Sequence, residues 1–218
     1  MKNILLTLFI AISINSFGQE WTDLKVDSVL TLKLPDNYHI YDTLGIKVFT
    51  GILENAVVSV SIGENVKTVK DEKLLLVWYN SFKESSVKAN HGQLIKDQII
   101  EAGGLKMIRF SFHMEKDGEK KVKHSIVAVV NNKFYTISFT EAESPSGEME
   151  KTREKFFSSM KFPPGLGLNN QLSAKDRDEM AYNQGELLGK ITVGLLIGLA
   201  VWFSTRRKKK DRPTSAVR

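Results

Sequence analysis

The chain contains no cysteine. This absence excludes a disulfide framework, thiolate zinc sites, a thiol nucleophile and the acylated N-terminal cysteine of a lipoprotein. The sequence also has no glycine-rich phosphate loop and no G-x-S-x-G nucleophile elbow, so no motif for nucleotide binding or serine hydrolysis is present. An exported domain of this kind must be stabilised by its hydrophobic core alone, which about 140 residues can provide.

The part of the chain that could fold lacks an excess of charge of either sign. Residues 206–218 hold seven of the 31 basic residues and one of the 25 acidic residues, so residues 1–205 keep 24 of each sign. The net charge of +6 therefore belongs to the C-terminal tail. A nucleic-acid-binding domain carries its basic excess on the folded surface. The charge distribution therefore argues against nucleic acid as a partner.

Residues 1–18 have the pattern of a cleavable signal peptide. Lys2 precedes an apolar run from Ile4 to Ile14, and Ser16 and Gly18 supply small side chains before a predicted cleavage after Gly18. The run is too short to cross a hydrocarbon core about 30 Å thick. A buried first strand fits less well, because the run ends in small and polar residues at the processing position.

Residues 187–205 predict a transmembrane helix. Lys190 is the one charged residue in its apolar part, and it lies one turn from the outer end, where its side chain can reach the headgroups. Trp202 lies at the opposite end, as interfacial aromatic residues do. The basic residues that then place the C terminus in the cytoplasm are Arg206, Arg207, Lys208, Lys209 and Lys210. The alternatives are a buried core helix and a C-terminal sorting signal that is later removed.

Gly194 and Gly198 form a G-x-x-x-G step within the predicted span. Glycines four residues apart let two helices approach closely, so this step permits a homodimer through the span. Glycine is common in membrane helices in general, and this is the simpler explanation.

Residues 19–162 predict one α+β domain, with a mostly antiparallel sheet of about seven strands and helices packed on it. A helix is predicted over Asp71–Ala89, with an apolar stripe of Leu75, Trp78, Tyr79 and Phe82. A second helix is predicted to begin at Ser144-Pro145. Strand patterns of period two cover residues 29–34, 46–52, 56–62, 93–101, 105–114, 120–130 and 133–140.

The order of these elements resembles the PsbP-like superfamily. The residues that carry the resemblance are the strand closing on Leu34-Pro35, the hairpin 46–62, the helix 71–89, Gly104-Leu105-Lys106, the strand 133–137 and the closing helix 156–162. The superfamily includes an extrinsic protein of photosystem II, a Ran-binding nuclear import factor and many bacterial envelope proteins. The resemblance implies an α/β/α-like sandwich used for protein interaction, usually without catalysis. No binding residue of the family transfers to a matching position here.

The predicted organisation is a signal peptide at 1–18, an extracytoplasmic domain at 19–162, a linker or stalk at 163–186, the span at 187–205 and a cytoplasmic tail at 206–218. This order predicts a single-pass protein of the inner membrane. Its N-terminal domain lies in the periplasm and its C terminus in the cytoplasm.

No catalytic, cofactor-binding or metal-binding residue is predicted, and no cofactor is implied. The four histidines include no locally spaced pair. His113 and His124 lie on neighbouring predicted strands, where a one-residue slip in register would place them on opposite faces. The acidic residues Glu141, Glu143, Glu148 and Glu150 fit a solvated helix start better than a cation site.

Three functions remain open. The first is a membrane-anchored binding or adaptor module of the bacterial cell envelope, with another envelope protein as its partner. The second is a small-ligand or lipid-binding domain with a pocket between sheet and helix, lined by Trp78, Tyr79, Phe82 and Phe134, although these residues fit a core equally well. The third is an enzyme of a type that the sequence does not identify.

Overall fold

The computed structural model describes residues 20–64, 69–116 and 118–172. The predicted signal peptide, transmembrane span and basic tail lie outside these residues. The strands are β1 (Trp21–Lys25), β2 (Thr31–Pro35), β3 (His39–Thr43), β4 (Ile46–Ile52), β5 (Ala56–Gly63), β6 (Gln93–Ala102), β7 (Leu105–Lys116), β8 (Glu119–Val130) and β9 (Lys133–Ala142). The helices are α1 (Glu72–Ala89), α2 (Gly147–Ser158) and α3 (Leu168–Gln171).

The centre of the fold is an antiparallel sheet of seven strands in the order β3-β4-β5-β9-β8-β7-β6. Strands β1 and β2 pair separately as a two-stranded antiparallel sheet. The prediction of a mostly antiparallel sheet of about seven strands with packed helices is confirmed. Both edges of the large sheet, β3 and β6, have a neighbour on one side only among the described residues.

Helix α1 covers one face of the large sheet. It begins after Asp71, whose side chain accepts a hydrogen bond of 2.8 Å from the backbone N–H of Leu74 and so caps the helix. The predicted apolar stripe is confirmed, and it packs on a row of β7 side chains that point to the same face of the sheet. That row contains Ile108, Phe110, Phe112 and Met114.

Helix α2 and the two-stranded sheet cover the opposite face. Phe156 and Phe157 of α2 pack there with the apolar residues of β2, β5 and β9. The predicted start of this helix is wrong: Ser146 is the capping residue, and its hydroxyl accepts a hydrogen bond of 3.2 Å from the backbone N–H of Met149. Pro145 lies just before this cap, so it ends the preceding loop and is not part of the first helical turn.

Helix α3 ties residues beyond Phe162 to the sheet. The side chain of Gln171 is buried, and its Nε2 donates hydrogen bonds of 2.8 and 3.0 Å to the carbonyls of Lys106 and Val129. Its Oε1 accepts a hydrogen bond of 2.9 Å from the backbone N–H of Lys106. The hydroxyl of Tyr79 joins the same group of polar atoms. The packed region therefore includes residues 166–172.

Candidate functional site

The residues predicted to interact with the membrane all lie outside the described part of the chain. They are Gly194, Gly198, Lys190, Trp202, Arg206, Arg207, Lys208, Lys209 and Lys210. Within residues 20–64, 69–116 and 118–172, the structure has no helix long and apolar enough to span a membrane.

The aromatic residues considered as a ligand-binding lining form a packed core instead. Trp78 stacks on Phe82 with ring centroids 5.1 Å apart, and both rings lie within 6.2 Å of Phe134. All are almost completely buried. Phe134 also fills the space above Gly63, where an added Cβ would lie 2.1 Å from the ring. These side chains hold α1 on the sheet and leave no room for a ligand among them.

The register of β7 and β8 decides the relation between the two strand histidines. His113 is opposite Val122, and His124 is opposite Ser111. Both histidines therefore face the α2 side of the sheet, but each contacts a different carboxylate. His113 Nδ1 lies 3.0 Å from Glu143, and His124 Nε2 lies 3.1 Å from Glu141. Among the described residues, no group of three or more histidine or acidic side chains has the arrangement of a metal site.

Glu141 and Arg153 form a buried ion pair that the sequence does not predict. Arg153 lies on α2, and its guanidinium donates a hydrogen bond to Glu141 Oε1 and another, of 3.2 Å, to Glu150. Burial raises the pKa of the Glu141 carboxyl, although the charge of Arg153 acts in the opposite direction. Burial, and then the positive charges of Arg153 and Arg109, lower the pKa of His124 to about 4. His124 is therefore neutral at physiological pH.

Ser111, His124 and Glu141 occur in this order on three adjacent strands, which invites comparison with a hydrolytic triad. A triad needs a nucleophile that hydrogen-bonds to its base and can reach a substrate. The hydroxyl of Ser111 is buried and has no hydrogen-bond partner within the described residues. The carboxylate is occupied by Arg153. The arrangement therefore links α2 to the sheet and presents no accessible nucleophile.

A polar cavity lies between the C-terminal half of α1 and the middle of the sheet. Its floor is formed by hydroxyl side chains of β5, β9 and β8. Its walls are formed by Ser86 of α1, by Asn90, which caps the C-terminal end of that helix, and by Phe110 and Phe112 of β7. The floor residues are Ser59, Ser61, Thr136, Ser138 and Ser125. The centre of a water molecule can occupy ≈ 20 Å³ of this cavity, which leaves room for water or for an ion of a few heavy atoms.

Lys123 is the one charged residue that lines this cavity. It is 6% exposed, and it has no hydrogen-bond or ion-pair partner within the part of the chain that the structure describes. Burial alone lowers the pKa of its ammonium to about 8. Lysine is rarely buried without a partner. An unpaired buried charge lowers the free energy of unfolding, because the ammonium loses its hydration without gaining a partner.

Strand β6 is the second unusual surface. Nine of its ten residues are exposed, and three of them are large and apolar: Leu94, Ile95 and Ile99, at 39%, 44% and 44% exposure. Its only partner in the described residues is β7. A bulge between Leu94 and Lys96 interrupts the register. Long exposed apolar edge strands are uncommon, because their unpaired backbone groups readily bind another strand.

No protein-family model and no curated protein sequence matches the chain. Solved structures do resemble it. Cyanobacterial PsbP from Synechocystis is 14% identical, over 68% of this chain and 96% of its own, with a TM-score of 0.51. The Ran-binding protein Mog1p of Saccharomyces cerevisiae is 7% identical, over 72% of this chain and 100% of its own, with a TM-score of 0.43. LpqN, involved in cell envelope biogenesis of Mycobacterium tuberculosis, is 10% identical, over 71% of this chain and 97% of its own, with a TM-score of 0.40.

At this level of identity, the likeness to PsbP shows the fold. The resemblance predicted from the order of strands and helices is therefore confirmed at the level of the fold. The described residues form a domain with the PsbP-like fold.

Proposed function

We propose that the chain is a single-pass binding module of the bacterial inner membrane, with its PsbP-like domain in the periplasm and its C terminus in the cytoplasm. The supporting sequence features are the signal peptide at 1–18, the apolar segment at 187–205 and the basic tail at 206–218. A stalk before the span would set how far the domain reaches from the membrane. The proposal assigns no reaction to the domain.

The exposed edge strand β6 carries the functional part of the proposal. Its partner is an extended segment of another envelope protein, which adds as a further strand beside β6. In this mode of binding, backbone hydrogen bonds provide affinity, and alternating side chains provide specificity. Leu94 and Ile99 lie on the α1 face of the sheet, opposite Phe112 and Ile108 of β7, so a partner strand could extend the apolar row of that face.

A second copy of the chain fits this edge poorly. If two copies of β6 pair to continue one antiparallel sheet, a two-fold axis relates them. Residues opposite each other must lie on the same face of the sheet, so this axis passes through one residue of β6 and not between two. An axis at Asp97 places the two Asp97 carboxylates opposite each other, and an axis at Ile99 places Asp97 opposite Glu101. An axis at Gln98 places Asp97 opposite Ile99 and Lys96 opposite Ile100. Every such register pairs like charges or sets charge against apolar side chains, which is unfavourable.

Membrane anchoring predicts the behaviour of the full-length chain in cell fractions. The mature protein should stay in the membrane pellet after washing with alkaline carbonate, because the span is buried among acyl chains. In spheroplasts, added protease should digest the domain and leave an epitope placed after Arg218 intact. Recovery of the mature chain in the carbonate supernatant would contradict the anchor.

Substitution of Ile99 by lysine should abolish partner binding at β6. The ammonium would lie on the α1 face, within the apolar row that the partner strand is proposed to extend. The exposure of Ile99 predicts little change in folding stability, within about 0.5 kcal/mol. The measurement is capture of crosslinked complexes from intact cells. Ile40→Lys is the matched control, because Ile40 is an exposed isoleucine on the opposite edge strand β3.

The expected result is a crosslinked protein that is recovered with the wild-type chain and with Ile40→Lys, and is lost with Ile99→Lys. Equal recovery with all three chains would place the binding surface elsewhere. A product that contains only this chain would assign the edge to a second copy or to an undescribed segment, and would overturn the proposed partner.

A further inference from the structure

Lys123 and the hydroxyl-lined cavity beside it have no role in the binding surface at β6. The ammonium lies on the α1 face of the sheet, where its cross-strand neighbours are Phe112 and Thr140. Neither neighbour can neutralise a positive charge. The side chain of Lys123 is 6% exposed and has no acceptor within the described residues. A negatively charged partner would stabilise this buried ammonium, and this part of the chain does not supply one.

Several polar atoms around the cavity also lack partners. Thr136 Oγ1, which can donate a hydrogen bond, and Asn90 Oδ1, which can only accept one, are buried without a partner. The hydroxyls of Ser125 and Ser138, 2.9 Å apart, bond to each other. Only one proton lies between these two oxygens, so a hydroxyl proton of the pair remains available to a further acceptor. The cavity therefore offers one positive charge and several hydroxyl donors.

These properties restrict the chemistry of a ligand. One ammonium, with neither a guanidinium nor a glycine-rich nest of N–H groups beside it, balances a single negative charge and not the two charges of phosphate or sulfate. The free volume limits the ligand to a few heavy atoms. A carboxylate has two oxygens that together accept about four hydrogen bonds. It can thus bind the ammonium and the hydroxyls of two strands at the same time.

We propose that the cavity between α1 and the strands β5, β9 and β8 is a binding site for a small monocarboxylate of the size of formate or acetate. Its carboxylate pairs with the ammonium of Lys123 and accepts hydrogen bonds from hydroxyls of the cavity floor. The methyl group of acetate would lie towards Phe110 and Phe112. This site is independent of the edge strand β6, so either proposal can hold without the other.

The test uses the full-length chain, purified in non-ionic detergent. Its unfolding midpoint is measured as sodium chloride is replaced by sodium formate or sodium acetate at constant ionic strength. A ligand that binds only the folded state raises the folded-to-unfolded ratio about tenfold at ten times its dissociation constant. The wild-type chain should show this increase. Lys123→Met should lose it, and the matched control Lys120→Met, an exposed lysine on the same strand, should keep it.

A second variant leaves the charge in place. Thr136→Val removes one hydroxyl with almost no change in volume, and it should weaken formate binding about tenfold, as expected for the loss of a hydrogen bond to a charged group. Equal stabilisation by chloride and formate would overturn the carboxylate assignment. An equal response of wild-type and Lys123→Met chains would overturn the site itself, and an effect seen only at molar salt would identify a general solvent effect.

Discussion

Replacement of Arg153 by methionine is expected to destabilise the folded domain by about 3–5 kcal/mol at neutral pH. Methionine keeps the apolar stem of the side chain but removes the guanidinium that neutralises Glu141, whose side chain is almost completely buried. His124, the other contact of that carboxylate, is neutral in the wild-type chain, and burial, the main cause of its lowered pKa, remains in the variant. Urea denaturation of the full-length chain in detergent measures the change.

The double variant Glu141→Met with Arg153→Met separates the loss of an ion pair from damage to packing. It should recover to within about 1 kcal/mol of the wild-type stability, because a buried ion pair replaced by apolar residues is often neutral or stabilising. The loss in Arg153→Met should also shrink as the pH falls, since protonation of Glu141 removes the unpaired charge. A loss below about 1 kcal/mol at neutral pH would show that Glu141 is solvated and not buried.

Replacement of Lys123 by methionine is expected to stabilise the domain by about 3–4 kcal/mol at pH 7 in the absence of small carboxylates. The pKa of the buried ammonium is lowered from 10.5 to about 8, and each of these roughly 2.5 pH units corresponds to about 1.4 kcal/mol. Methionine fills a similar volume without a charge. Few single substitutions in a buried position stabilise a protein, so the sign of the change is itself diagnostic.

The pH dependence provides an independent check on Lys123. Below pH 8 the lysine is protonated in both states, and its burial penalty is complete. Between pH 8 and 10.5 the folded state releases the proton before the unfolded state does, so the wild-type chain gains stability as the pH rises. Lys123→Met should lack this gain, and the two stabilities should converge near pH 10.

Two buried tyrosines limit the pH range over which the stability of the wild-type chain reports on Lys123 alone. Burial raises the pKa of Tyr79 and of Tyr135, so above pH 10 the unfolded state ionises first and both chains lose stability. The difference between wild type and variant cancels this effect. A constant difference from pH 7 to pH 10 would contradict a buried, titrating Lys123.

The sequence predicts the elements whose side chains alternate clearly between core and solvent. The stripe of α1 and the alternation in β7 follow directly from periods of 3.6 and 2 residues, and both are confirmed. Strands β1 and β3 have weaker patterns, and the sequence does not predict them. In β3 each residue is exposed or half-buried, because an edge strand needs no apolar face to remain paired.

The polar sites could not be predicted, because they depend on the register between distant strands. Glu141 belongs to a cluster of acidic residues that reads as a solvated loop, and only the packing of α2 on β9 brings Arg153 to it. Lys123 lies two residues after Lys121, in a strand that begins with charged residues, so the pattern does not distinguish it from an exposed lysine. One signal was available: Ser59 and Ser61 alternate with buried valines, which indicates a polar face on a central strand.

The central claim is that β6 binds a segment of another protein. Site-specific photocrosslinking tests this claim most directly. A photoreactive amino acid is placed at Ile99 or, as the control, at Ile40 of the full-length chain in intact cells. The account predicts that position 99 crosslinks to one extended segment of a different envelope protein and that position 40 does not. Equal crosslinking from both edges, or attachment from position 99 only to lipid or to this chain itself, would contradict it.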